Sequence, residues 1–450
     1  MTRHAVVPGY LLACLLLGGA NAAGFLPNLL LQIAALPLIG WALWQLLQEA
    51  PAPQSRAALG LLGALTALLL LQLIPLPPAV WTLLPGRAPV AEGYRLLDVP
   101  LPWLRLTLAP AGALANLLWL LPAFASFLAV AVLGAFRGRW IAGVIVVVTV
   151  IAVLLGALQV IGGEDSGLYF YAITNPGQAV GFFANSNHNA TLLLVSIPFL
   201  AALQASLLKR SRSARSASAI RLLASGTFAI IVVGLALNSS LAGIGLGVPV
   251  ALATWLVFGR QRPALGLWLI MATALVSVAA LVIIVVGPFG NNLIGAQHSN
   301  VEQSRQTSFA LTLRAAREYF PIGSGVGSFQ PVYHTQEPLA SVGNTFMNHA
   351  HSDWLELFLE TSVPGMLLAA AFLWWWAMRT RAIWQAEEPD SFAQAAVIAT
   401  AAMLLHSCVD YPLRTAALSA AFAACVGLMS GVRPYVRRSR KASSARHLSL

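Results

Sequence analysis

The chain has 450 residues, of which 58% are hydrophobic and 9% are charged, and its formal net charge is +11. In soluble domains about a quarter of the residues are charged. This composition therefore excludes an ordinary soluble domain and indicates a polytopic membrane protein. The three cysteines, Cys14, Cys408 and Cys425, are odd in number and lie in apolar surroundings. We interpret them as packing residues rather than metal ligands.

Apolar runs of about 17–25 residues predict membrane-spanning helices. Twelve such runs lie near residues 9–25, 27–47, 57–75, 113–135, 140–162, 189–207, 222–238, 240–258, 266–287, 353–376, 391–408 and 414–432. The predicted fold class is therefore all-α. The first run resembles a signal peptide, but no small-residue cleavage site followed by a soluble domain comes after it, so we expect it to remain as a span.

The distribution of positive charge predicts the orientation of these spans. With the N-terminus inside, 19 of the 26 Lys and Arg residues lie in inner segments. This positive-inside bias predicts that both termini are cytoplasmic and that the large loop 288–352 lies outside. It also accounts for the net charge without a nucleic-acid partner. We expect the basic tail, 433–450, to contact anionic lipid headgroups.

The chain is predicted to contain three regions, which are the N-terminal helices 1–180, a membrane domain 181–432 that includes loop 288–352, and the cytoplasmic tail 433–450. Within the first region, the proline-rich outer segment 76–112 contains Trp81 and Trp103. These residues predict an interfacial turn with aromatic anchors.

A polar stretch, 344–353, ends the large loop at the mouth of a predicted span. Polar groups there are costly to bury, so they indicate function. His349, His351 and Asp353 are open to two interpretations, a metal site or a loop in which neutral His351 is a general base. We favour the base, because two histidines and one carboxylate are few ligands and histidine titrates near neutral pH. We therefore predict neither a metal nor a cofactor.

Three acids follow the histidines along the next helix. Asp353, Glu356 and Glu360 share one helical face. Acids on one face of a span are expected to point into the protein, where they orient His351 or pair with arginines.

Residues 301–320 predict a helix that carries three arginines. Its apolar stripe is formed by Phe309, Leu313, Ala316 and Phe320, and Arg305 heads that stripe. An arginine on a buried stripe needs an anionic partner, so Arg305 is predicted to bind phosphate or carboxylate, with a structural ion pair as the alternative. Arg314 points the opposite way, where a functional role and a solvated pair with Glu318 are both open.

Two further polar groups lie outside the large loop. His188 begins a predicted span beside Asn185, Asn187 and Asn189, which either cap the helix or line a cavity. His406, Asp410 and Arg414 flank the outer turn between the last two spans, and we interpret them as a structural network. The glycine-rich stretch 321–329 suits tight turns or close backbone approach and is a weak signal for phosphate binding.

Four stretches, in this order, resemble signatures of the O-antigen ligase and polymerase superfamily. They are Gly181–Ala190, Arg305 and Phe309 followed by Phe320–Phe329, His351-Ser352 followed by Ser362-Val-Pro-Gly365, and His406–Leu413. The chain departs from the family pattern at three positions. Ser362 stands where the first glycine of the histidine motif is usual, Met366 replaces a small residue or tyrosine, and Phe309 replaces a common tryptophan.

The resemblance implies a metal-independent, inverting glycosyltransferase of the bacterial inner membrane. It implies transfer of a glycan from undecaprenyl diphosphate to an acceptor hydroxyl on lipid A–core or on a growing glycan, at the periplasmic face. His351 matches the catalytic histidine. Arg305 and, with it, Arg314 or Arg317 match the diphosphate-binding arginines. Polar residues expected to contact substrate are Asn185, Asn187, His188, His349 and Glu360.

Other functions remain open on the sequence. A polymerase of glycan repeat units shares every motif above. A flippase or other transporter also has about twelve spans, but it predicts charged residues at the midplane and broken helices in paired halves. Here the polar residues cluster at the outer ends of the spans, which favours an enzyme over a transporter or a purely structural protein.

Overall fold

The computed structural model describes residues 3–20, 26–259, 275, 305–339 and 347–431. Within these ranges the chain is almost entirely helical. The first ten helices are α1 (Val6–Leu17), α2 (Leu26–Gln48), α3 (Pro53–Leu71), α4 (Pro78–Trp81), α5 (Ala88–Leu96), α6 (Pro110–Ala131), α7 (Gly138–Gly162), α8 (Ser186–Leu208), α9 (Ala214–Leu237) and α10 (Leu241–Phe258). The last five are α11 (Arg305–Glu318), α12 (Phe329–Gln336), α13 (Asp353–Trp384), α14 (Ser391–His406) and α15 (Ala416–Met429).

Eight of the described helices are long and apolar enough to cross a membrane. They are α2, α3, α6, α7, α8, α9, α10 and α13, and each coincides with a predicted span. The chain is therefore a helical membrane protein. The shorter apolar helices α1, α14 and α15 coincide with three more predicted spans. Of the predicted span 266–287, only residue 275 is described, so the total of twelve remains a prediction.

The core of the bundle is formed around helix α8. This helix packs against α7, α9, α10 and α14, and nearly all of its first fifteen residues are buried. Helix α15 is buried almost throughout and packs against α6, α1 and α14. Six of its residues are alanines, and small side chains let helix backbones approach closely where lipid supplies no hydrophobic driving force.

The outer segment between α3 and α6 folds back on itself. A short antiparallel ladder joins β1 (Pro75–Leu76) to β2 (Leu104–Arg105), and α4 and α5 lie between the two strands. The prediction of two aromatic anchors is wrong for Trp81, which is buried and donates from Nε1 to the Pro102 carbonyl oxygen at 2.9 Å. Trp103 is 65% exposed, as an interfacial anchor requires.

Helix α13 extends beyond the predicted span and contains a kink. Ser362 has φ 41° and ψ −128°, which is not helical. The part after the kink ends at Trp384 and has a length of about 33 Å at 1.5 Å per residue, enough to cross the hydrocarbon core by itself. The part before the kink carries the three acids, and α11 packs against α13.

Candidate active site

The start of helix α8 is built by asparagine side chains. Asn185 is the N-cap, and its Oδ1 accepts the Asn187 backbone N–H at 2.8 Å. Asn187 Oδ1 accepts the Ser240 hydroxyl at 2.7 Å, which ties α8 to the start of α10. Asn189 donates from Nδ2 to the Ala179 carbonyl oxygen at 2.9 Å. The capping interpretation is therefore correct for Asn185, and contact of Asn185 or Asn187 with a substrate remains a prediction.

His188 and His406 lie deep beside these asparagines. His188 is fully buried, and its Nε2 lies 3.8 Å from Asp410 Oδ1. Thr191 donates its hydroxyl proton to the Asn187 carbonyl oxygen at 3.0 Å, so at 2.8 Å it accepts a proton from His406 Nδ1. These contacts join α8 to the turn between α14 and α15. Of the predicted network, His406 and Asp410 thus contact side chains of α8, whereas Arg414 pairs with the acids of α13.

His351 adopts a backbone conformation that is rare for a residue with a side chain. Its φ is +53°, in the left-handed region. The His351 Nδ1 lies 3.0 Å from the His349 carbonyl oxygen. Because a carbonyl only accepts, Nδ1 carries the proton, and Nε2 is then the basic nitrogen of the neutral ring. In this tautomer Nε2 can accept a proton, as a general base does.

The next residue starts helix α13. Ser352 is the N-cap, and its Oγ accepts the Leu355 N–H at 3.3 Å. The same hydroxyl lies 3.2 Å from the Ser407 carbonyl oxygen, to which it donates. Residues 347–352, which contain His349 and His351, are here called the histidine turn. This turn is therefore attached both to α13 and to the end of α14.

Arg414 holds the three acids of the first part of α13. Its Nη1 lies 3.1 Å from Glu356 Oε1, its Nε 3.5 Å from Asp353 Oδ1, and its Nη2 3.7 Å from Glu360 Oε2. Burial lowers the pKa of Arg414, but the three carboxylates outweigh burial and raise this pKa above its ordinary value. The expectation that the acids point inward and pair with an arginine is correct. The carboxylate that contacts a histidine is Glu356, and it contacts His349 rather than His351.

The glycine-rich loop packs directly on the kinked helix. Gly323, Gly325 and Gly327 all have positive φ, and a Cβ at Gly323 would lie 2.4 Å from the Glu360 carbonyl oxygen. This explains the glycines, because only glycine permits both the conformation and the close approach.

The N–H groups of this loop have partners inside the protein. Glu360 Oε1 accepts from Gly327 N–H at 2.8 Å, and the Glu360 carbonyl accepts from Gly325 N–H at 2.9 Å. The Val326 N–H donates to Gln72 Oε1 at 2.6 Å. These bonds make the loop a packing element rather than a cradle for phosphate. Glu360, predicted to contact substrate, is buried and bonded to this loop.

Helix α11 presents a different face to the protein from the one predicted. The buried residues are Ser308, Thr312, Ala315, Ala316 and Tyr319, whereas Leu313 and Phe320 are exposed. The reason is that Ser308, Thr312 and the two alanines permit close packing on α12 and α13, which leaves Leu313 and Phe320 exposed. Glu318 accepts from Gln336 Nε2 at 3.1 Å, not from Arg314.

Of the three arginines predicted to bind diphosphate, the structure describes the side chains of two. Arg314 and Arg317 are exposed on the outer side of α11. Arg305 is the first residue of α11, and its side chain lies outside the described residues. Its predicted role is therefore untested.

Tyr411 contacts both the start of α8 and the turn before α13, and it was not among the residues predicted from the sequence. Its ring centroid lies 4.6 Å from that of His349, 5.1 Å from His188 and 5.2 Å from His351. The Asn348 side chain donates to its hydroxyl at 3.3 Å. Burial, reinforced by the charge of Asp410, raises its pKa, so the phenol stays neutral. The available sequence signal was its position directly after Asp410.

An apolar cavity of about 430 Å³ opens beside this cluster. Its walls are aliphatic and aromatic residues of α3, α6, α13 and α15, such as Leu65, Trp119 and Phe372. Its polar lining includes His349, Asp353, Glu360 and Arg414. The cavity can therefore accept a hydrocarbon chain along its walls and bring a polar head group to the histidine turn.

The comparison with protein families gives a match that covers part of the chain. Residues 225–370 match the family model described as O-antigen ligase. That segment includes the histidine turn and the first part of α13, and it leaves out His188, Tyr411 and Arg414. A search of curated proteins gave no match.

Proposed function

We propose that this chain is a ligase-type glycosyltransferase of the O-antigen ligase and polymerase superfamily, a proposal supported by the match of residues 225–370 to the O-antigen ligase family model. It moves a glycan from undecaprenyl diphosphate to an acceptor hydroxyl, on lipid A–core or on a growing surface glycan. The reaction takes place at the periplasmic face of the bacterial inner membrane, inverts the sugar carbon, and needs no metal.

The observation that carries this proposal is the meeting of three distant motifs at one point. The rings of His188, His349 and His351 all contact Tyr411. They do so beside a cavity with apolar walls and a polar lining. An isoprenoid chain can pack along such walls. Its diphosphate head can then lie near the histidines and away from the carboxylates of Asp353, Glu356 and Glu360.

The proposed step uses His351 as the base. Its Nε2 takes the proton of the acceptor hydroxyl, whose oxygen attacks the anomeric carbon of the donor sugar. The bond from that carbon to the diphosphate oxygen breaks, and the lipid diphosphate leaves with the electron pair. General-base catalysis by a positioned histidine contributes about 10²–10⁴-fold.

Cationic groups offset the charge that develops on the leaving diphosphate. Arg414 is a poor candidate, because three carboxylates already surround its guanidinium. We therefore assign this role to Arg305, assisted by Arg314 or Arg317, which remain exposed to a ligand.

A deletion strain tests the proposed function. The surface glycan and the lipid-linked pool are analysed in the deletion strain, and the intact gene is returned as the control. A ligase predicts full-length glycan that stays on the lipid carrier and is absent from the acceptor. Single repeat units on the acceptor would instead assign a polymerase, and an unchanged glycan profile would contradict both assignments.

A further inference from the structure

The backbone conformation at His351 is not one that its own residue type favours. His351 is a left-handed residue that carries a side chain, and such conformations persist only where the surroundings fix them. A side chain of helix α13 reaches the described residues of this turn, 347–352, and contacts it directly.

The Glu356 carboxylate accepts hydrogen bonds from two groups of this turn. Glu356 Oε2 accepts the Ala350 backbone N–H at 3.0 Å, between the two histidines. The same carboxylate accepts from His349 Nδ1, with Oε1 at 3.0 Å and Oε2 at 3.2 Å. Its Oε1 also pairs with Arg414 Nη1 at 3.1 Å. Glu356 is 1% exposed, so no water replaces these donors easily.

The remaining groups around Glu356 act on other parts of the site. Asp353 Oδ2 accepts the Ser407 hydroxyl at 2.7 Å, and Glu360 holds the glycine-rich loop. Arg414 contacts all three acids, and its guanidinium orients the Glu356 carboxylate. Glu356 is thus the acid that bonds to the turn itself.

We propose that Glu356 is a positioning residue that holds the His349–His351 turn in its catalytic conformation. It fixes the ring of His349 directly, and it fixes His351 through the Ala350 peptide. The Tyr411 ring packs against both histidines and limits their movement from the other side. This role deepens the proposed function and rests on it for its kinetic consequence, but its structural consequence is independent.

Glutamine at 356 is the informative substitution. It has nearly the same shape, but one carboxylate oxygen becomes an amide nitrogen, which donates and cannot accept. The variant therefore cannot satisfy His349, Ala350 and Arg414 together. In Glu356→Gln we expect kcat to fall by about 10–100-fold, equivalent to the loss of one charge-assisted hydrogen bond, with little change in the KM for the donor.

The second readout does not depend on activity. Histidines of the purified, folded protein are modified with diethyl pyrocarbonate, and the rate at each site is followed by mass spectrometry. In Glu356→Gln the rates at His349 and His351 should rise. The rate at His334, which pairs with Glu337 on the surface at 2.7 Å, should stay unchanged.

A matched control comes from that surface pair. Glu337→Gln removes the same kind of acid–histidine contact at a pair that makes no bond to Glu356 among the described contacts. It should raise the modification rate at His334 alone and leave glycan transfer unchanged. If Glu356→Gln does not accumulate, Glu356→Asp retains the charge for Arg414 but retracts the carboxylate from the turn, and the same rates are measured.

The two proposals fail in different ways. Absence of glycan transfer by the wild-type protein overturns the proposed function, while the modification rates still test the role of Glu356. Unchanged rates at His349 and His351 in a folded Glu356 variant overturn the positioning role, whatever the activity. Raised rates with a lower kcat support both.

Discussion

Arg414 Nη1 lies 3.1 Å from Glu356 Oε1, although Glu356 belongs to α13 and Arg414 to the turn between α14 and α15. The same guanidinium contacts Asp353 and Glu360, so one cation serves three carboxylates whose side chains are at most 14% exposed. Charges removed from water are tolerated only when they are paired, and the loss of one partner leaves the others uncompensated.

Replacement of Arg414 should therefore destabilise the protein strongly. We expect Arg414→Ala to lower the free energy of unfolding by about 3–5 kcal/mol, since it leaves three acids without a counter-charge. The measurement is denaturant unfolding of the purified protein in detergent. Arg95→Ala is the matched control, because Arg95 forms an exposed pair with Glu92 at 3.4 Å, and exposed pairs contribute up to about 1 kcal/mol. Equal effects of the two variants would contradict the importance of the buried cluster.

Glycine should be preferred over serine at the kink of α13. Ser362 has φ 41°, a conformation that strains any residue with a Cβ, and its buried hydroxyl has no hydrogen-bond partner within the described part of the chain. Ser362→Gly should raise the free energy of unfolding by about 1 kcal/mol, because relief of strain exceeds the entropic cost of glycine.

Alanine at the same position separates the two causes. Ser362→Ala removes the hydroxyl but retains the strained Cβ. Both variants are measured by denaturant unfolding in detergent, where Ser362→Ala should be less stable than Ser362→Gly. An alanine variant as stable as the glycine variant would show that the backbone conformation contributes nothing.

The orientation in the membrane is testable by thiol labelling. All three native cysteines are first replaced, and single cysteines are placed at Ser299 and Ser213. An impermeant thiol reagent applied to cells with a permeabilised outer membrane should label position 299 and not position 213, because the charge bias puts loop 288–352 outside. Labelling of position 213 alone would reverse the orientation.

Chelation tests the metal-free chemistry. If His351 acts as a base, the purified enzyme should retain its activity with lipid-linked donor after treatment with EDTA. Loss of activity that zinc or manganese restores would make the histidines metal ligands and the assignment of a base wrong.

The sequence predicted the parts of this structure that depend on local patterns. Long apolar runs predicted the spans because lipid requires them, and the acids of α13 were expected to point inward. The partner of those acids was not predictable, since Arg414 reaches them only after α14 and α15 pack. The face of α11 was predicted wrongly, because hydrophobicity favours large residues whereas close packing selected Ser308, Thr312 and Ala315.

Tyr411 is a residue of the candidate site whose role could not be predicted from local sequence patterns. Its importance comes from contacts with three histidines on α8 and on the turn before α13. No pattern along the chain records that convergence. Ser362 is the opposite case, since a departure from the family pattern indicated the position where the backbone needs glycine.

The most direct test of the account is glycan transfer by purified His351→Ala, Arg305→Ala and Arg95→Ala variants at matched concentration, with consumption of the lipid-linked donor as the measurement. His351→Ala should lose about 10²–10⁴-fold in rate because the base is gone. Arg305→Ala should also be inactive, and Arg305→Lys less impaired, because lysine keeps the charge and loses the bidentate geometry. Arg95→Ala should match the wild type. Near-normal transfer by folded His351→Ala would contradict the central claim that this histidine activates the acceptor.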